Sequence, residues 1–96
     1  MSMVIPAPRQ GLIAQEIDGE TVLLNQGTNE VHTLNPTASY IWSRIERKES
    51  FSQILQGLVD QYDIDVNTAT ADLKRVITQL NNLGLFDETA VIDERR

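Results

Sequence analysis

Few residues in this sequence could carry acid–base or metal chemistry. His32 is the sole histidine, and the chain has no cysteine. A metal site or a general base needs partner side chains at defined spacing, and no paired carboxylate accompanies His32. The lack of cysteine excludes disulfides, thiolate nucleophiles and cysteine-based zinc or iron–sulfur sites. We therefore interpret His32 as a packing or peptide-contact residue and expect no catalytic residue, no metal and no cofactor.

The aspartates of the second half of the chain offer no cation loop either. Asp60, Asp63, Asp65 and Asp72 lack the glycine and the final glutamate that an EF-hand requires at fixed spacing. Helix capping and solubility explain them better. The sequence also has no glycine-rich phosphate loop and no Gly-x-Ser-x-Gly elbow. These observations favour a protein that is not an enzyme.

Length and charge limit the partners. The 96 residues, 41% of them hydrophobic, suffice for one modest core. The net charge of −6 disfavours nucleic acids and anionic membranes as partners. The N-terminus lacks the basic and apolar regions of a signal peptide, so we expect a soluble, cytoplasmic protein. We predict flexible ends at residues 1–8 and 87–96 around a domain at 9–86.

The first third of the chain predicts strands. Apolar runs at residues 12–17 and 20–24 flank Asp18-Gly19, a pair typical of two-residue hairpin turns because it tolerates positive φ. A third run, Glu30–Leu34, follows a polar loop with Gly and Asn. The pattern predicts a three-stranded antiparallel sheet whose third strand lies at an edge.

Three helices should follow the sheet. Asn35 and Pro36 are suited to the N-cap and first position of a helix. Ser50 and Gln53 form a capping-box pattern for a second helix, and a third begins after residues 63–65 and ends near Gly84. The predicted fold class is α+β, with three antiparallel strands followed by three helices, like a winged helix-turn-helix.

The order of these signals resembles the PqqD family, also called RiPP recognition elements. The resemblance spans residues 9–86 and is carried by the segments Val31-His32-Thr33-Leu34-Asn35-Pro36-Thr37-Ala38, Ile41-Trp42, Ser52-Gln53-Ile54, Asp72-Leu73 and Leu80-Asn81-Asn82-Leu83-Gly84-Leu85. One departure is the turn after the first helix, where many relatives have glycine and this chain has Arg47-Lys48-Glu49.

The resemblance implies a non-catalytic peptide chaperone. Members of this family hold the leader of a ribosomally made precursor peptide, between the third strand and the last helix. They present it to a modifying enzyme such as a radical SAM protein, or to a leader peptidase and cyclase pair. The residues that it assigns to peptide binding are Glu30, Val31, His32, Thr33, Leu34, Leu73, Lys74, Val76, Ile77 and Leu80. Lys74 and its neighbour Arg75 could pair with acidic leader residues or could be ordinary solvated charges.

Two alternatives from other classes stay open at this point. A winged-helix DNA-binding regulator could place the third helix in a major groove, although that helix offers only Lys74 and Arg75 as cations. A homodimeric interaction module could pair an exposed edge strand with that of a second copy. Salt-dependent DNA binding would favour the first, and size-exclusion behaviour would address the second.

Overall fold

The computed structural model describes residues 3–87 and 91–92. Three strands form one antiparallel sheet, and three helices follow it, which confirms the predicted fold class. The elements are β1 (Met3–Val4), β2 (Leu12–Ile17), β3 (Glu20–Asn25), β4 (Glu30–Leu34), α1 (Pro36–Glu46), α2 (Phe51–Tyr62), α3 (Val66–Asn82) and β5 (Val91–Ile92). In the described part of the chain, none of the helices has the length and apolar character needed to cross a membrane.

The first hairpin forms as its turn residues predict. Asp18 and Gly19 both have positive φ, at 53° and 82°. These values match a type I′ turn, whose twist agrees with that of the flanking strands. The turn fixes the register, which runs from the pair Ile17 and Glu20 to the pair Leu12 and Asn25.

The sheet order β2-β3-β4 places β3 in the middle and leaves two edges. Side chains alternate between the two faces of a strand. Thr21, Leu23 and Asn25 of β3 are buried against the helices, whereas Val22 and Leu24 lie on the outer face and are half-buried. The sheet therefore has one packed face and one face turned to solvent.

The turn between α1 and α2 forms without glycine. Lys48 adopts a left-handed φ of 63°, and its N–H donates to Ile45 O at 2.9 Å. Glu49 N–H donates to Arg44 O at 3.1 Å, which completes a Schellman closure of α1. The side chains of Arg44 and Glu49 pair across the same turn at 2.9 Å. Lys48 thus takes the left-handed position that glycine commonly occupies after a helix.

The predicted caps are present. The Asn35 side chain accepts from Ala38 N–H at 2.8 Å and starts α1. Ser50 and Gln53 form both bonds of a capping box at α2. Gly84, with φ of 73°, ends α3 in a second Schellman closure. The first two helices therefore begin, and the third ends, where their sequence signals lie.

The core lies between the inner face of the sheet and the three helices. The largest fully buried side chains are Trp42, Leu23, Ile41, Ile54, Leu58, Leu73, Ile77, Leu80 and Leu85. Leu85 and Phe86 fold back onto it as predicted, and the Phe86 ring stacks on Trp42 at 6.4 Å between centroids. The apolar stripes of the three helices are thus mainly core.

Segments from the two ends of the chain pair with each other. Met3 and Val4 of β1 lie opposite Ile92 and Val91 of β5, and Pro8 forms a bridge with Phe86. The predicted flexibility of the ends stays a prediction, and for residues 1–2, 88–90 and 93–96 it lies outside the described residues.

Candidate functional site

The backbone groups of β4 divide between its neighbour β3 and the open edge of the sheet. Ser39 Oγ accepts the N–H of Thr21 at 2.8 Å and donates to Leu34 O at 3.0 Å. Thr21 and Leu34 are cross-strand partners, so this hydroxyl stands where their backbone groups face each other. The direction of the backbone N–H and C=O groups alternates from one residue of a strand to the next. Those of Leu34 point to β3, so those of Val31 and Thr33 point to the open edge.

An apolar cavity lies beside this edge. It has a volume of about 330 Å³ and lies between the end of β4 and the last turns of α3. Its lining residues are Thr33, Leu34, Asn35, Ala38, Val76, Gln79, Leu80 and Leu83. Leu34 and Leu80 are buried, whereas Leu83 at the rim is 40% exposed. An extended chain along β4 could therefore place an apolar side chain between strand and helix.

A second, more polar cleft of about 430 Å³ continues the site toward the loop between β3 and β4. Leu83 lines both cavities, and Glu30 and Thr28 line the polar one. Arg9 enters this cleft from the N-terminal segment, and its Nε donates to Gly84 O at 2.8 Å. We name the two cavities together the β4 groove. One of its ends is apolar, and the other carries a cation and a carboxylate.

His32 lies on the inner face of β4, between Glu30 and Leu34. Its side chain is 16% exposed, and Nε2 is 3.5 Å from Glu30 Oε1. Nε2 is buried without a hydrogen-bond partner among the described residues. A buried polar atom without a partner costs free energy, so a hydrogen bond to that atom stabilises the structure that contains it. His32 Nε2 therefore has an unused hydrogen-bonding position on the inner face of β4.

The other residues assigned by the resemblance separate into three groups. Val31, 61% exposed, and Thr33 belong to the edge itself. Val76 and Leu80 line the apolar cavity, whereas Leu73 and Ile77 are fully buried in the core beneath it. The last two support the groove and offer no accessible surface to a ligand.

Lys74 lies away from the groove. It precedes Val76 by two residues, which is about 200° around an α-helix. Arg75 instead lies one turn before Gln79, a lining residue, and pairs with Asp72 at 3.2 Å. Helix geometry therefore places Arg75, and not Lys74, on the flank of α3 beside the apolar cavity.

Sequence reasoning did not assign several residues of the groove. Arg9, Asn35, Ala38, Gln79 and Leu83 line it. Leu83 carried a usable signal, because it lies three residues after Leu80 on the same helical stripe. Arg9 carried none, since 75 residues separate it from its partner Gly84.

The groove contains no recognisable catalytic or metal-binding constellation. Across residues 3–87 and 91–92, no three His, Cys, Asp or Glu side chains are grouped so that they could hold a metal ion. Its chemistry is that of backbone hydrogen bonds, apolar contacts and a few polar side chains. This is the chemistry of peptide recognition by a sheet edge.

Comparison with known families identifies the group to which this chain belongs. The sequence model described as Coenzyme PQQ synthesis protein D (PqqD) matches residues 20–85, from the start of β3 to the buried Leu85. The chain belongs to the PqqD family. The match covers β4 and α3, the strand and helix on either side of the apolar cavity, and confirms the family resemblance.

Two solved structures resemble this PqqD-family chain in fold. TbiB1 in complex with the TbiA(beta) leader peptide has a TM-score of 0.79 and 27% identity, covering 84% of this chain and 94% of its own. Lasso peptide synthetase B1 complexed with the leader peptide has a TM-score of 0.78 and 25% identity, covering 93% and 100%. No curated protein matches the chain significantly in sequence.

Proposed function

We propose that this chain is a non-catalytic chaperone that binds the leader of a ribosomally synthesised precursor peptide by strand addition at β4. The observation that carries the proposal is the outward direction of the Val31 and Thr33 backbone groups beside an apolar cavity. The two similar structures, each in complex with a leader peptide, support it.

The alternation of the strand defines which leader residues enter the groove. A leader residue opposite Val31 or Thr33 exchanges backbone hydrogen bonds with it and turns its side chain to the outer face. Leader residues opposite Leu34, His32 and Glu30 turn their side chains inward. The groove therefore contacts the side chains of alternate leader residues over a stretch of about five.

The inward positions differ in chemistry. The one opposite Leu34 enters the apolar cavity and should be a medium-sized apolar residue. The one opposite His32 can satisfy the buried Nε2, and the one opposite Glu30 enters the cleft that Arg9 lines. These three environments define both the register and the direction of the leader.

Micromolar binding requires a minimum number of apolar anchors. Ordering a disordered leader costs about 2–5 kcal/mol. Burying an apolar side chain contributes about 1.5–3 kcal/mol, and each backbone hydrogen bond about 0.5–1.5 kcal/mol. A net value near −8 kcal/mol, or about micromolar affinity, therefore needs two or three apolar anchors together with the edge bonds. Leu83 at the junction of the two cavities can contact more than one anchor.

The partners follow from this role. The bound leader would be presented to a modifying enzyme, such as a radical SAM protein or a leader peptidase and cyclase pair. A cytoplasmic location is consistent with this biosynthetic role. In this role the chain performs no catalytic step, because β4 and its groove supply binding groups alone.

A winged-helix DNA-binding role has little support. The chain carries a net charge of −6, and Arg75, one of the two cations of α3, is paired with Asp72. A helix that holds several phosphates needs a basic face, and its binding weakens steeply with salt. The structure offers no such face on α3.

Calorimetric titration tests the proposal. The purified chain is titrated with synthetic leader segments from short precursor-like reading frames encoded nearby, at two salt concentrations. Saturable one-to-one binding of a leader at micromolar affinity or better, with weak salt dependence, supports it. Salt-sensitive binding to duplex DNA with no heat from any leader segment would overturn it in favour of the regulator.

A further inference from the structure

The second edge of the sheet, β2, has the features of a pairing surface. Its side chains are exposed from Ile13 to Ile17, and no described strand pairs with its outer side. Natural edge strands are commonly protected by proline, lysine, a bulge or a covering segment. β2 has neither proline nor lysine, and it pairs with β3 in an uninterrupted register.

The outward backbone groups of β2 belong to its even-numbered residues. Gln26 N–H donates to Gly11 O at 3.1 Å, so Gly11 directs its carbonyl toward β3. Alternation along the strand then turns the odd-numbered Ile13, Gln15 and Ile17 toward β3 as well. Leu12, Ala14 and Glu16 direct their backbone groups to solvent.

We propose that β2 pairs antiparallel with β2 of a second copy of this chain. A two-fold axis at Gln15 makes Ala14 the partner of Glu16 in the other copy, and both residues have outward backbone groups. Ile13 of one copy then lies opposite Ile17 of the other, so the exposed apolar side chains cover each other. These isoleucines are 49% and 51% exposed in the single chain.

Neighbouring registers match less well. An axis at Ala14 would place Ile13 opposite Gln15, and an axis at Glu16 would place the two Glu16 carboxylates directly opposite each other. Apolar cross-strand pairs stabilise a sheet, whereas directly opposed like charges destabilise it. Even in the favoured register the two Glu16 side chains are diagonal neighbours, so added salt should strengthen the association by screening them.

This dimer leaves both leader sites open. Joining two three-stranded sheets at β2 makes β4 the terminal strand on each side. Each copy could then hold one leader, and the assembly would be bivalent toward its enzyme. The self-association does not depend on leader binding, so either can be wrong without the other.

Disulfide trapping reports the register directly, because the chain contains no cysteine. In a non-hydrogen-bonded antiparallel pair the Cα atoms are about 4.5 Å apart, within the range of a disulfide. Under mild oxidation, Gln15→Cys should form a covalent dimer about ten-fold faster than Thr33→Cys on the opposite edge, because pairing raises the local thiol concentration. Equal rates, or faster trapping of Thr33→Cys, would overturn the proposal.

Sedimentation velocity on the full chain gives the second readout. The sedimentation coefficient should rise with protein concentration, and more so at high salt. Ala14→Pro removes an outward N–H without breaking a bond to β3, so it should abolish the rise while circular dichroism stays unchanged. A coefficient that stays at the monomer value at all concentrations, or a rise that Ala14→Pro leaves intact, contradicts pairing at β2. A rise that appears only when the modifying enzyme is added would assign the edge to that protein and overturn self-association.

Discussion

Ser39 Oγ lies 2.8 Å from the backbone nitrogen of Thr21, although the two residues are 18 positions apart. The same hydroxyl donates to Leu34 O at 3.0 Å. A side chain of α1 thus takes the place of a bond between β3 and β4. This insertion joins the helix to the end of the sheet from which the apolar cavity opens, and it fixes which residues of β4 face the edge.

Removing this hydroxyl should destabilise the fold. Ser39→Ala leaves the buried N–H of Thr21 and the carbonyl of Leu34 without their partner, which costs about 1–3 kcal/mol. Urea denaturation should show the loss as a lower midpoint with an unchanged slope. Ser43→Ala is the matched control, because its exposed hydroxyl donates to Tyr40 O within the same helix. A Ser39→Ala midpoint equal to that of the control would mean that the bridge is energetically unimportant.

Proline substitutions should distinguish the two sides of β4. Val31→Pro removes an outward N–H and should abolish leader binding while the domain stays folded. His32→Pro removes a group that faces β3 and should lower the unfolding free energy. Circular dichroism melts and calorimetry on both variants make the comparison. Val31→Pro with wild-type affinity would refute strand addition at this edge.

Leu83 should contribute to leader affinity more than to folding. Its side chain is 40% exposed and lines both parts of the groove. Leu83→Glu should therefore weaken leader binding by about ten-fold or more, which corresponds to about 1.4 kcal/mol. Val66→Glu, an exposed position at the other end of α3, is the control and should bind normally. Equal affinities of the two variants would place the groove elsewhere.

The N-cap of α3 should make stability depend on pH in the acid range. Hydrogen bonds from Thr68, one of them 2.8 Å from its N–H to Asp65 Oδ1, hold the pKa of Asp65 below its ordinary value. A carboxyl group whose pKa is lower in the folded than in the unfolded state stabilises the fold. This contribution is complete above the pKa of the unfolded state and is lost as the pH falls through the pKa of the folded state. In Asp65→Asn the loss of stability between neutral pH and the acid range should be smaller than in the wild type. Urea midpoints across that range, with Asp60→Asn as the control, provide the measurement.

Local signals predicted most of the fold. Turns and caps can be read from the sequence because each depends on residues within a short segment. The segments here are Asp18-Gly19, Asn35-Pro36, Ser50 with Gln53, and Gly84. Lys48 shows the limit of that reading. It takes the left-handed conformation that glycine would prefer, because the hydrogen bonds of the closure and the Arg44–Glu49 pair hold the turn.

The site was less predictable because it depends on contacts between distant segments. The sequence showed that α3 has an apolar stripe, but not that Ile77 is fully buried while Leu83 remains exposed at the rim. The contribution of Arg9 requires the N-terminal segment to reach Gly84. The edge position of Glu30–Leu34, in contrast, followed from the order of the strands and agrees with the sheet topology.

Amide hydrogen exchange of the chain with and without a bound leader tests the central claim most directly. Strand addition at β4 predicts that the amides of Val31 and Thr33 exchange rapidly in the free chain and become strongly protected on binding. The outward amides of Ala14 and Glu16, followed at low protein concentration, should keep their rates. Saturable leader binding that leaves Val31 and Thr33 unprotected, or that protects Ala14 and Glu16 instead, would contradict the account.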